Sequence, residues 1–164
     1  MAQIIKAPQK VEWSNKKSVF LAGSIDGGAS VNWQITAENA LKDLDILVFN
    51  PRRDDWDSSW KQSIEDPQFK EQVEWELDQL DSATHILMYF APDGKSPITL
   101  LELGLHAVRD NIVLVCSKNF WRRGNVEIVA ARYNIPLYEN LEQGLEVLRE
   151  KLLANNANVD DETE

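Results

Sequence analysis

One cysteine and two histidines in 164 residues leave little room for several kinds of protein. A lone cysteine, Cys116, cannot form a disulfide framework, and its place in Asn111-Ile112-Val113-Leu114-Val115-Cys116 reads as a buried strand thiol in a reducing compartment. Neither His85 nor His106 stands at a spacing that suggests a metal site. No apolar run approaches the ~20 residues of a membrane span, and no signal peptide opens the chain, so a cytoplasmic protein without a membrane partner is expected. Basic residues are scarce, 17 Lys and Arg against 27 Asp and Glu, for a net charge of −10. Four acids in the last five residues account for part of that; the remaining −6 still argues against a nucleic-acid polymer, whose phosphates need basic patches. Small neutral ligands stay open.

What is present is an ordinary globular composition, 43% hydrophobic and 27% charged. It fits one domain over residues 1–154 followed by an acidic tail, 155–164, expected to be disordered. Residues 1–17 show no clear period and read as an irregular lead-in with room for a short edge strand. Five short apolar strands follow, at residues 18–23, 45–49, 85–90, 111–116 and 135–138. Helical spacing fills 31–44, 99–109, 125–133 and 141–153, and a further helix starts at Asp66-Pro67. Alternation of this kind indicates a parallel sheet covered on both faces. The expected architecture is α/β: a flavodoxin-like, doubly wound, five-stranded parallel sheet in the order 2-1-3-4-5. Ligands of such sheets bind beyond the carboxyl ends of the strands, at the switch between strands 1 and 3. That rule brings the turn Gly23-Ser24-Ile25-Asp26-Gly27-Gly28 beside the segment from Ala91 to Glu102.

Glu102 admits two readings from its neighbours. Thr99-Leu100-Leu101-Glu102 has the pattern of a capping box, in which a glutamate in the first turn bonds back to the N-cap amide. With Leu100, Leu103, Gly104, Ala107 and Val108 turned to the core, Glu102 instead faces the crevice, kept ionised by the helix macrodipole and able to act as a nucleophile. In the preceding helix Phe69, Val73, Leu77 and Leu80 form an apolar stripe with Glu76 in its middle. A carboxylate there is paired, hydrogen-bonded or neutral, or else reaches from the helix end to solvent. Two carboxyl groups in different surroundings are the usual apparatus for cleaving a glycosidic bond.

Three loops bear on the ligand. The turn at Gly23–Gly28 has the glycines of a phosphate cradle, but Asp26 would repel an anion, which leaves a plain loop or contact with sugar hydroxyls. The long connection 52–66 carries Asp54, Trp56 and Trp60, residues that can hydrogen-bond and stack on a planar base, or form a solvated acidic loop. Asn119-Phe120-Trp121-Arg122-Arg123-Gly124-Asn125 puts two aromatics beside arginines, the composition of an interface centre. Arg52, Arg53, Arg122 and Arg123 otherwise read as surface charge.

Phe20-Leu21-Ala22-Gly23-Ser24-Ile25, Asn50-Pro51-Arg52, Trp75-Glu76, Ser82-Ala83-Thr84 and Thr99-Leu100-Leu101-Glu102-Leu103-Gly104, in that order and spacing, resemble the nucleoside 2-deoxyribosyltransferase family over about residues 18–140. The resemblance implies a flavodoxin-like fold with no metal and no cofactor. It implies a glutamate nucleophile at Glu102 and a second site carboxyl at Glu76, where the family usually has aspartate. It also implies a base-recognition loop at Asp54–Trp56, and at Asn125 an asparagine lent to a neighbouring subunit's deoxyribose. Substrate contacts are thus expected from Gly23, Ser24, Asp26, Asp54, Trp56, Asp93 and Asn125. The implied ligands are a 2′-deoxynucleoside and a free nucleobase, and the implied working unit is a homodimer or a multiple of one. Ser96 stands where the family often has a second aspartate, with Asp93 the nearest substitute, and Phe20 replaces a common tyrosine. A related branch, the deoxynucleoside 5′-monophosphate N-hydrolases, carries arginine at the position of Asp26, so a phosphorylated substrate is disfavoured. The expected activity is transfer of 2-deoxyribose between bases; hydrolysis, or nucleoside sensing without catalysis, are the alternatives.

Overall fold

The computed structural model describes residues 1–25 and 31–154; the expectations placed on Asp26 and on the tail 155–164 lie outside these. Six parallel strands, β1 (Gln3–Lys6), β2 (Ser18–Gly23), β3 (Leu47–Asn50), β4 (His85–Phe90), β5 (Ile112–Cys116) and β6 (Leu137–Tyr138), form one sheet in the order β1-β3-β2-β4-β5-β6. This corrects the five-stranded expectation. The lead-in supplies β1, which pairs with β3 from Gln3↔Leu47 to Lys6↔Asn50 and moves the sheet edge outward by one strand. Four residues with only Ile5 fully buried are too short and too weakly periodic to announce a strand.

Alternation along the inner strands sorts the core into two layers. Phe20, Phe49, Met88 and Leu114 face the layer of α2 (Pro67–Ser82), α3 (Pro97–His106) and α4 (Arg123–Arg132). Val19, Leu21, Val48 and Leu87 face α1 (Trp33–Leu41) and α5 (Leu141–Leu153) on the other side. Helix starts follow local chemistry. Asp66 Oδ1 accepts from the amides of Gln68 and Phe69, both at 3.1 Å, and Pro67 takes the first helical position. Asn140 caps α5 through the amide of Gln143. No described helix is long and apolar enough to cross a membrane.

Two helices are rotated from the sequence expectation. In α2 the buried residues are Gln72, Trp75, Gln79 and Leu80, while Leu77 is exposed. The indole of Trp75 anchors this face, donating to Gln9 O at 2.8 Å. In α3 the polar residues Thr99, Glu102 and His106 turn inward with Leu103, and Ile98, Leu101 and Leu105 turn outward, as does Val108 in the turn that follows, each more than half exposed. The helix also begins earlier than expected. Ser96 is its N-cap, held in the left-handed region at φ 49°, and Pro97 its first residue. Glu102 is therefore in the second turn and the capping-box reading falls.

Candidate active site

The site lies where β2 and β4 end and their connections part to opposite faces. At the end of β2, Gly23 packs so closely that a Cβ would stand 2.7 Å from Tyr89 O and 2.5 Å from Trp33 Cζ2. Only glycine lets the indole of Trp33 lie over the strand, where its Nε1 donates to Ser24 O at 3.2 Å and its ring meets Tyr89 edge-on at 5.4 Å. Ser24 is buried, and its hydroxyl hydrogen-bonds the hydroxyl of Ser96. That contact ties the start of α3 to the end of β2. Ser96 thus serves as a tether rather than as a replacement for an acidic group, and Asp93 is exposed in the turn before it.

Glu102 is on the buried side of α3. Its Oε2 is buried with no hydrogen-bond partner among the described residues. Burial, reinforced by the charge of Glu76, raises its pKa from 4.5 to about 8. The expectation of a carboxylate kept ionised by the helix start is overturned: in the second turn, desolvation outweighs the macrodipole, which acts within the first. Glu76 stands on α2, where Gln72 links it to the end of β3. Burial raises its pKa from 4.5 to about 7, opposed by a hydrogen bond from Gln72. Gln72 Nε2 donates both to Glu76 Oε1 and to Pro51 O, each at 2.9 Å, and so fixes the carboxyl against the end of β3. Two acids with raised pKa values, one of them within electrostatic reach of the other, are a feature typical of functional sites.

Not every expected residue joins them. Asp54 is exposed and pairs with Lys6 of β1 at 3.4 Å. Trp56 is half-buried against Trp60, ring centroids 5.0 Å apart. Asn125 is exposed on α4, lining a groove with Leu100, Leu103 and Val126 between α3 and α4. Arg53 and Arg123 are not surface charge. The Arg53 guanidinium bonds Asp55 at 2.9 and 3.0 Å and lies 4.9 Å from the ring centre of Trp60, which organises the loop. Arg123 donates to Cys116 O at 2.6 Å and pairs with Glu127. Cys116 is buried as expected, which pushes its thiol up to about 11. Phe120 packs on Phe90 at 4.9 Å, while Trp121 is exposed between Lys95 and Arg122.

Sequence reasoning missed Gln72 and Gln34, and named Ser96 and Asn50 without the roles they have here. Gln72 stands four residues before Glu76, a spacing that puts both on one helix face. Asn50 Nδ2 donates to Glu38 Oε1 at 2.6 Å and its Oδ1 accepts from the amide of Arg52, shaping the exit from β3.

A doubly wound parallel sheet covered by helices on both faces makes this an α/β protein. The chain belongs to the nucleoside 2-deoxyribosyltransferase-like family, whose model matches residues 16–120. No curated protein matches it.

Proposed function

We propose that the protein transfers 2-deoxyribose from a 2′-deoxynucleoside to a free nucleobase. The observation that carries this reading is the buried carboxyl of Glu102, one oxygen unpartnered, electrostatically coupled to Glu76. Ionised Glu102 attacks C1′; the C1′–N bond breaks through an oxocarbenium-like transition state, and its electrons leave with the base. Glu76, which carries the proton in the minor arrangement of the singly ionised pair, gives the departing base its proton. The acceptor base then attacks C1′ from the face the first base left. The Glu102 carboxylate departs, and the acceptor's proton returns to Glu76. Two inversions retain the β configuration. Gly23 and Ser24 border the sugar, and the loop bearing Asp54 and Trp56 covers the base.

A homo-oligomer working in the cytoplasm is part of the same reading. The outward aliphatic face of α3, the groove that α3 forms with α4 at Asn125, and the exposed Trp121 fit a second copy that lends Asn125 to its neighbour's sugar. A covering subunit would also keep water from the glycosyl-enzyme, which favours transfer over hydrolysis. The test is to mix a deoxynucleoside with a different free base and follow the products by chromatography. A new nucleoside is expected. Free base alone would make the protein a hydrolase, and no turnover would make it a sensor.

A further inference from the structure

Gln34, in the first turn of α1, has no exposed surface, and neither its Nε2 nor its Oε1 meets a hydrogen-bond partner among the described residues. A buried amide with both ends unmet is rare, because burial strips its water without replacing it. Its place in the fold says what it faces. The chain leaves the carboxyl end of β2 to enter α1, so the first turn of α1 is level with the ends of the strands. To one side of Gln34 on the helix surface, Trp33 lies over Gly23; to the other, Glu38 accepts from Asn50 at the end of β3. Gln34 stands between them, over the ends of β2 and β3.

The chemistry proposed above fixes which part of a nucleoside would reach that position. In an in-line displacement the leaving base lies across C1′ from the attacking oxygen. Glu102 comes from α3 on one face of the sheet, and α1 covers the other. We propose that Gln34 is a specificity-determining residue whose carboxamide hydrogen-bonds the nucleobase of donor and acceptor. A carboxamide presents a donor and an acceptor side by side, the complement of the adjacent acceptor and donor on a base edge, and glutamine reads bases in this bidentate way elsewhere. The inference rests on the nucleoside reading and adds the residue that selects among bases.

Gln34→Met keeps the length of the side chain and removes both polar ends; Gln34→Leu serves as a second variant should the first fail to fold. The thermal midpoint is expected to hold or rise, because two unmet polar atoms leave the core. The kcat/KM for deoxynucleosides is expected to fall at least tenfold, through KM more than kcat, with a changed ranking of the four bases. Unchanged kcat/KM and ranking, or an equal loss for every base with a lowered midpoint, would make Gln34 a structural residue and overturn the inference while leaving the transfer reading intact. A wild-type protein with no activity on any deoxynucleoside would overturn both.

Discussion

Burial, and after it the charge of Glu76, holds the proton on Glu102. The two acids come from different helices, α2 and α3: burial raises Glu76 to about 7, and burial with the charge of Glu76 raises Glu102 to about 8. Displacement at C1′ needs one of them ionised and the other protonated. The kcat/KM is therefore expected to be bell-shaped in pH, rising through about 7 and falling through about 8, apparent values that belong to the pair. Steady-state rates between pH 5 and 10, with Glu76→Gln alongside, check this. Removing the neighbouring charge should abolish the alkaline fall and leave one rise, below the pH 8 value of Glu102 in the pair. A profile unchanged by that substitution would separate the two groups.

The same burial makes Glu102 a liability for stability at high pH. Its folded pKa, about 8, exceeds the ordinary 4.5, so between those values the folded state holds a proton that the unfolded state has lost. Stability contributed by the neutral form is complete below 4.5 and is lost as pH rises to about 8. Glu102→Gln removes this titration. It should match the wild type near pH 4.5 and exceed it by on the order of 1–3 kcal/mol at pH 8.5, with base exchange abolished. Urea unfolding at the two pH values measures the difference. Equal stabilities at the higher pH would show that Glu102 is ionised without cost.

Gly23 tests how the end of β2 is built. A Cβ there meets the carbonyl oxygen of Tyr89, its partner across the β2–β4 ladder, and a backbone atom in the middle of a sheet cannot step aside. Gly23→Ala is expected to cost about 1–3 kcal/mol as an overpacked site, seen as a lowered thermal midpoint. Displacement of Trp33 would also show as a changed tryptophan fluorescence. An unaltered midpoint would mean that the indole has room to move.

The sheet was legible because its inner strands are unbroken apolar runs, and buried parallel strands have no other signature. β1 was not, because an edge strand of four residues needs only its backbone pairing and one inward side chain, Ile5. Glu102, Glu76 and Ser24 could be named from spacing and resemblance, whereas their environments could not. The assignment of apolar residues inward failed for α3, where Thr99, Glu102 and His106 face in and three aliphatic residues face out. A helix that carries a site on one side and an unpaired apolar face on the other inverts the usual period. Gln34 left a faint trace: it shares the core-facing arc of α1 with Ala37 and Leu41, a polar residue where the pattern calls for an apolar one.

The inverted period of α3 also motivates the last expectation, that catalysis requires two copies of the chain. Ile98, Leu101, Leu105 and Val108 are 57, 59, 51 and 70% exposed, an aliphatic face that a second copy would bury with favourable free energy. Leu100 and Leu103 of the same helix form a groove with Val126, Val129 and Asn125 of α4, so a partner seated there meets Asn125 directly. Asn125 is exposed, and it serves a site only if that site belongs to the neighbour. Glu102→Ala and Asn125→Ala are each expected to reduce exchange to a small fraction of the wild type, the first by removing the nucleophile and the second by loosening the sugar. Mixed and allowed to exchange subunits, the two inactive proteins form hybrids in which one site keeps both residues. Activity should return toward one quarter of the wild-type value, since half the dimers are hybrids with one intact site of two. Sedimentation measures the assembly in parallel. A monomer with full activity, or a mixture that stays inactive while hybrids demonstrably form, would return Asn125 to the protein surface.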